Sequence, residues 1–342
     1  MRVAVYYNNS DIRIEERPVP KIGPGEILVQ IRASGICGSD VMEWYRVPKA
    51  PIVLGHEVSG DVAEVGEGVE HLHVGQRVVV SHHVPCNTCR MCLTGNHTAC
   101  HTLHTTNFDP GGFAEYVRVP ALQTERGVLT LPDNVSYDEG SFVEPLGCVV
   151  RAHVRTGIRP GSTVLVIGSG ISGLLHIRLA AALGAGRVFA TDVNDYRLDW
   201  ARRAGATAAF DALEAGDRLP ELLRESNEGR LADVVILCTG VPSAIAQGLA
   251  CLENGSTFVF FAPPPPEVPL EMPMADLWRR EVTVRTAYGA GPADLQMALD
   301  LIATGRVPVD DLVTQHLSLD DIARGFGLVC DACDSVKVIV EP

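Results

Sequence analysis

Four cysteines fall within the stretch PCNTCRMCLTGNHTAC: Cys86, Cys89, Cys92 and Cys100, spaced C-x2-C-x2-C-x7-C. Spacings this short let four thiolates wrap one tetrahedral ion. Four sulfurs leave no open position, so the expected chemistry is a closed, structural zinc site. The competing use of the same residues is a pair of loop disulfides, which rarely persist in a reducing compartment. Three further stretches set metal-binding side chains among apolar neighbours: ICGSD with Cys37, Ser39 and Asp40, LGHEVSG with His56 and Glu57, and FVEPLGC with Glu144. Read one at a time, Cys37 is a core thiol, His56 a core histidine, and Glu144, beside Pro145, a helix cap.

A second chemistry lies in TVLVIGSGISGLLHIRLAAALGAGRVFATD, which reads as strand, glycine turn, helix and strand. Gly168, Gly170 and Gly173, with Ser172 inside the turn, form G-x-G-x-x-G where a strand ends and a helix opens. The first glycine turns the chain, the second lets a pyrophosphate approach the backbone, and the third allows close packing of helix on strand. Asp192 ends the next apolar strand, where a carboxylate holds ribose hydroxyls and repels a ribose phosphate, so NAD is expected over NADP. The other reading of Asp192 is a cap for the helix starting near Asp195. Arg197 either stacks on adenine or lies on a solvated helix face.

These groups need elements to hold them. Val164–Ile167 reads as a buried parallel strand. Further strands at ADVVILCTG and STFVFFAP, with helical stretches between, predict an α/β doubly wound sheet. The second ends at Phe261 and Ala262, just before the four prolines Pro263 to Pro266. Neither strand nor helix runs through those, so they mark a loop at the carboxyl end of the sheet, where ligands bind in such folds, or a stiff connector. Cys238 and Cys251 look like small core residues. A chain of 342 residues suits two domains. The formal net charge of -14 argues against a nucleic-acid partner. The opening MRVAVYYNNSDIRIEERP has no apolar run of signal-peptide length, and glycines, His176 and Arg178 interrupt the most apolar region. No membrane span and a cytoplasmic address are therefore expected.

With C-G-S-D, G-H-E, the four-cysteine stretch, V-E-P-L and the glycine motif in this order along essentially the whole chain, the sequence resembles the zinc-dependent medium-chain dehydrogenase/reductase family. Within it the sequence looks most like the sorbitol and threonine dehydrogenase branch. The resemblance implies an N-terminal GroES-like β-barrel catalytic domain over residues 1–155, with the structural zinc lobe at about 84–104. It implies a Rossmann NAD-binding domain over 156–289 and a return to the catalytic domain over 290–342. It implies two zinc ions, one of them structural. The catalytic one would be held by Cys37, His56 and Glu144, with Glu57 beside it, Cys148 being an alternative to Glu144. Asp40 would orient His56, and Ser39 would bond the substrate oxygen and pass on its proton. Phe261, Ala262 and Tyr288 would line the cofactor site. The implied reaction is oxidation of a secondary hydroxyl of a polyol or sugar-like alcohol by NAD, in a homodimer or homotetramer. The alternatives are amino-alcohol oxidation of the L-threonine 3-dehydrogenase type and a non-catalytic nucleotide-binding protein on the same fold.

Two departures from that pattern bear on mechanism. Where relatives carry a proton-relaying histidine five positions after the catalytic cysteine, this chain has Met42, which carries no proton. Glu43, His82, His83 or solvent would have to substitute, and the expected route is Ser39 and water. The arginine that polyol dehydrogenases place after the last Rossmann strand is replaced in VTVRTAYGAG by Tyr288 and Gly289, and Arg285 comes too early. Trp44 and Tyr45 either wall the substrate pocket or belong to the core. The strand in DSVKVIVEP either serves a subunit edge or closes the core.

Overall fold

The computed structural model describes residues 1–154 and 156–342, so the boundary expected at Arg155 lies outside the described residues. The chain divides into two compact units, Met1–Gly147 with Gly289–Pro342, and Cys148–Tyr288; the division falls within the helix Val143–His153.

The first unit opens with strands β1 (Arg2–Asn8), β2 (Asp11–Glu16), β3 (Ile27–Gly35), β4 (Ile52–Val53), β5 (Glu57–Val65), β6 (Arg77–Ser81), β7 (Tyr116–Val119) and β8 (Val128–Thr130). Between β6 and β7 come only short turns of helix, Arg90–Leu93 and His101–Thr105, as suits a segment organised by cysteines. Helix Tyr137–Ser141 starts on a capping box in which Ser136 and Glu139 satisfy each other's backbone amides.

The second unit holds β9 (Thr163–Ile167), β10 (Arg187–Asp192), β11 (Ala208–Asp211), β12 (Ala232–Leu237), β13 (Leu252–Phe260) and β14 (Thr283–Thr286). They form one all-parallel sheet in the order β11-β10-β9-β12-β13-β14. Every residue of β9 is buried, as a strand covered on both faces requires. The order reverses between β9 and β12, and the crevice at the strand ends there is where ligands bind in such sheets. β14 is the exposed edge. Pro263 to Pro266 lie in no helix or strand. Cys251 is a core residue of this sheet.

The chain then returns to the first unit through β15 (Val313–Ser318) and β16 (Lys337–Glu341), completing a sheet ordered β15-β16-β3-β5-β6-β8, with β7 also on β3. β16 lies inside that sheet, between β15 and β3, so the strand of DSVKVIVEP closes the core. Val338 and Val340 pack with Val3, Val5, Ile36 and Phe326, which makes one core from both ends of the chain.

Candidate functional site

The turn after β3 carries Cys37, Ser39 and Asp40, and the step into β5 carries His56 and Glu57. Because β3 and β5 pair with Gly35 opposite Glu57, the two stretches meet at one end of the sheet. One donor atom each from Cys37, His56 and Glu57 lie within 4.8 Å of one another. Asp40 is fully buried, its Oδ2 accepting from the Cys37 amide at 3.1 Å and its Oδ1 facing His56 Nδ1 at 3.3 Å. Burial by itself would raise the Asp40 carboxyl, but the charges of His56 and Arg46 and the Cys37 amide bring it below its usual range. For His56, burial works against the charged ring, but Asp40 and Cys37 more than offset it and raise the imidazole well above its ordinary value. Nδ1 is thereby committed to Asp40, which leaves Nε2 for a metal.

Glu57 is held by a residue that reading along the sequence did not find. Lys337, on β16, donates to Glu57 Oε2, with Phe142 5.6 Å from its ammonium; both charged side chains are buried. A Cβ at Gly35 would collide with this pair, so a larger residue there would have to displace it. The other oxygen, Oε1, is buried with no hydrogen-bond partner among the described residues. A thiol, an imidazole nitrogen and a carboxylate oxygen within 4.8 Å of one another are a donor set suited to zinc. Glu144 is not a member of this group. Its helix begins at Val143, so Glu144 lies inside the first turn instead of capping it, with Pro145 where a missing N–H costs nothing.

Met42 precedes the helix Glu43–Arg46, and Arg46 folds back over the turn. Its Nε donates to the Ser39 carbonyl at 2.9 Å, and its Nη2 to Ser39 Oγ at 3.1 Å and Asp40 Oδ1 at 3.3 Å. Glu43 is engaged with the Asn9 amide. The His82 ring lies 4.9 Å from that of His56 and 3.8 Å from His83. Burial first, then neighbouring positive groups, pulls His82 well below its ordinary value and His83 down to about 4. Trp44 and Tyr45 are both partly exposed, so neither is a core residue.

In the cysteine lobe the donor atoms of Cys86, Cys89, Cys92 and Cys100 lie within 4.8 Å of one another. The sulfurs stand 3.6 Å apart for Cys89–Cys92, 3.6 Å for Cys100–Cys86 and 4.0 Å for Cys86–Cys92. Four sulfurs bound tetrahedrally to zinc stand about 3.8 Å apart, so the lobe fits the ion without rearrangement. A third grouping, Asp138, His316 and Glu341, does not read as a metal site: each ring nitrogen of His316 already faces one carboxylate, at 3.5 and 3.1 Å.

In the second unit Gly168 has φ +92°, which favours glycine, and a Cβ at Gly173 would strike the Gly168 carbonyl. Gly170 precedes the helix Ile171–Ala182 and leaves that helix's N-terminus open, with Ser172 in the first turn. Asp192 Oδ2 accepts from the Ser169 amide at 2.7 Å, and Oδ1 from the amides of Val193 and Asn194 at 2.8 and 3.1 Å. The helix Asp195–Arg203 is capped by Asn194, so Asp192 is free of that duty. Arg197 approaches Gly170: a Cβ there would sit 3.8 Å from its Cζ, and its Nε is buried without a hydrogen-bond partner among the described residues. Phe261 and Ala262 donate their amides to the Leu237 carbonyl at the end of β12. The edge of Phe261 meets His176, whose Nδ1 lies 2.8 Å from His153 Nε2. Tyr288 is 49% exposed and Arg285, on the edge strand, is exposed too.

Residues 23–133 match the alcohol dehydrogenase GroES-like domain family, and residues 172–304 the zinc-binding dehydrogenase family. The chain is 33% identical over 326 residues to D-xylulose reductase A of Aspergillus niger, covering 92% of this chain and 89% of that protein. Among solved structures it is similar to a zinc-binding dehydrogenase of Sinorhizobium meliloti bound to NADP, with TM-score 0.88 and 30% identity over 100% of this chain and 99% of the other. It is similar also to galactitol-1-phosphate dehydrogenase of Escherichia coli, with TM-score 0.85 and 27% identity over 100% of both chains.

Proposed function

The chain belongs to the zinc-dependent medium-chain dehydrogenase/reductase family, whose members here are oxidoreductases acting on CH–OH groups, and from that premise we propose that it oxidises a secondary hydroxyl of a polyol or sugar-like alcohol to a ketone with NAD. The observation that carries the reading is the convergence of Cys37, His56 and the Glu57 carboxylate, with Ser39 in the same turn as Cys37. Cys37, His56 and Glu57 would hold a catalytic zinc, Glu144 standing outside that group, and the four-cysteine lobe a second ion. When bound, zinc offers a Lewis acid to the alcohol oxygen and the nicotinamide ring accepts hydride.

The chain's own residues do the rest. Asp40 fixes the His56 tautomer. Arg46 donates to Ser39 Oγ, which orients the hydroxyl and leaves its hydrogen available to the relay. The O–H proton of the alcohol leaves through Ser39 to water, Met42 providing no route, and the carbinol hydrogen leaves with its electron pair. Gly168, Gly170, Ser172 and Gly173 seat the pyrophosphate at the helix N-terminus. Asp192 holds the adenosine ribose hydroxyls, which favours NAD, and Arg197 stacks on the adenine, while Phe261, Ala262 and Tyr288 border the nicotinamide half. We read the protein as a cytoplasmic homodimer or homotetramer, for which the exposed edge β14 offers a pairing surface.

The test is NAD reduction, followed by absorbance, over polyols, sugars, amino alcohols and simple alcohols, with NADP in parallel and zinc counted per chain. Turnover of vicinal diols with two zincs supports the reading. Turnover of threonine alone would move it to the amino-alcohol branch, and absence of turnover with one zinc would make it a scaffold.

A further inference from the structure

Arg46 has more donors than its neighbours use. Nε and Nη2 serve Ser39 and Asp40, and among the described residues Nη1 has no hydrogen-bond partner. The guanidinium carbon also lies 4.7 Å from the centroid of the Tyr45 ring, and Lys49 Nζ lies 3.5 Å from the same centroid. Lys49 is exposed and pairs with no carboxylate among the described residues. Only three of the chain's 28 basic residues are lysines, and another of those, Lys337, is buried on Glu57. Burial alone would raise the Tyr45 phenol, but the adjoining Lys49 and the charges of Arg46 and His56 lower it instead. Lys49 and Arg46 also act on His83, so their field reaches the ring group beside His56. Of the two buried acids here, Asp40 is shared between Arg46 and His56, and Glu57 is taken up by Lys337. A chain with net charge -14 thus carries an unbalanced positive wall at the hydroxyl expected to bond the substrate oxygen.

We infer that Arg46 and Lys49, with the Tyr45 ring between them, form an anion subsite beside Ser39, and that the preferred alcohol bears an oxyanion group, a phosphate monoester or a carboxylate. This rests on the dehydrogenase reading above and narrows its substrate class. Fixed donors around a partly dry ring attract such a group more strongly than free solvent does, and the ring offers its face to the adjoining carbon chain. The attraction between charged partners weakens as salt rises, which separates it from packing effects.

The experiment compares kcat/KM for a hexitol, its terminal phosphate ester and the corresponding aldonate, using wild type, Lys49→Gln and Lys49→Arg at low and high salt. Expected are at least a tenfold preference for an anionic substrate, expressed in KM, and a fall in that preference with salt. Lys49→Gln should cost the anionic substrate at least tenfold more than it costs the hexitol, with Lys49→Arg restoring most of the loss. The phosphate and aldonate arms decide which oxyanion is meant. Equal kcat/KM for neutral and anionic alcohols, or equal loss on both in Lys49→Gln, overturns the subsite and leaves the dehydrogenase reading standing. Turnover of no alcohol overturns both.

Discussion

Lys337 Nζ donates to Glu57 Oε2 across 280 residues of sequence, with both charged groups shut off from water. A buried ion pair adds little net stability, but breaking one half leaves an uncompensated charge. Lys337→Met should therefore cost about 3–5 kcal/mol, read from denaturant unfolding. Lys337→Met with Glu57→Gln should recover most of that. Gly35→Ala, which forces the pair apart, should resemble the single variant.

Ser39→Ala should lower kcat by roughly a hundredfold or more, in line with the loss of a positioned proton-transfer group, and should change the pH profile of kcat. An unchanged rate and profile would show that the proton leaves by another path.

Asp192→Ser should cut kcat/KM with NAD by about tenfold or more and raise the NADP-to-NAD ratio, because a carboxylate bonded to ribose hydroxyls also repels a phosphate there. Steady-state kinetics with both cofactors checks it. A ratio that stays fixed would place cofactor choice elsewhere.

Replacing Cys92 by serine should remove one zinc per chain and speed hydrogen exchange across residues 84–104 while leaving exchange in the parallel sheet alone. Structural zinc contributes its binding energy to local folding, so its loss should be felt where the ligands are. Metal analysis and exchange mass spectrometry read the two halves of this outcome.

Burial holds His153 down to about 3 and His176 well below its ordinary value, the charge of His153 adding to the effect on His176. Unfolded histidines titrate near 6.5, so below that pH the unfolded chain binds protons that the folded chain refuses. Stability from this pair is full above about pH 6.5 and declines as pH falls toward 3, at up to about 1.4 kcal/mol per pH unit for each ring. Thermal unfolding from pH 7 to 5 should show a shallower decline in the double variant His153→Phe, His176→Leu than in wild type.

How much of this was legible beforehand depended on distance along the chain. The four cysteines and the glycine motif work through spacings of a few residues, so their geometry is written locally. Cys37, His56 and Glu57 belong to three-dimensional pairing of β3 with β5, and only the order of motifs announced them. Lys337 gave one local signal, a lone charge within the apolar run SVKVIV, but its partner is set by β16 entering the sheet beside β3. Arg46 was hidden for another reason: a short helix turns it back onto Ser39, and nothing in MEWYRVPK specifies that reversal. For Asp192, the helix-cap reading fails because Asn194 does that work, which a sequence with two eligible residues so close leaves open.

The discontinuity of the first unit sets an order of assembly on the ribosome. Cys148–Tyr288 is contiguous and can complete its sheet while the chain is still being made. The first unit cannot, since β16 and Lys337 are translated only after the whole of that sheet. At roughly 5–20 residues per second, Glu57 is synthesised some 15–55 s before its partner exists. Through that interval a carboxylate meant for burial and the open edge of β3 must stay wetted or shielded. Early termination downstream of Tyr288 would thus release a finished nucleotide-binding unit tied to an unfinished catalytic one, a natural client for chaperones.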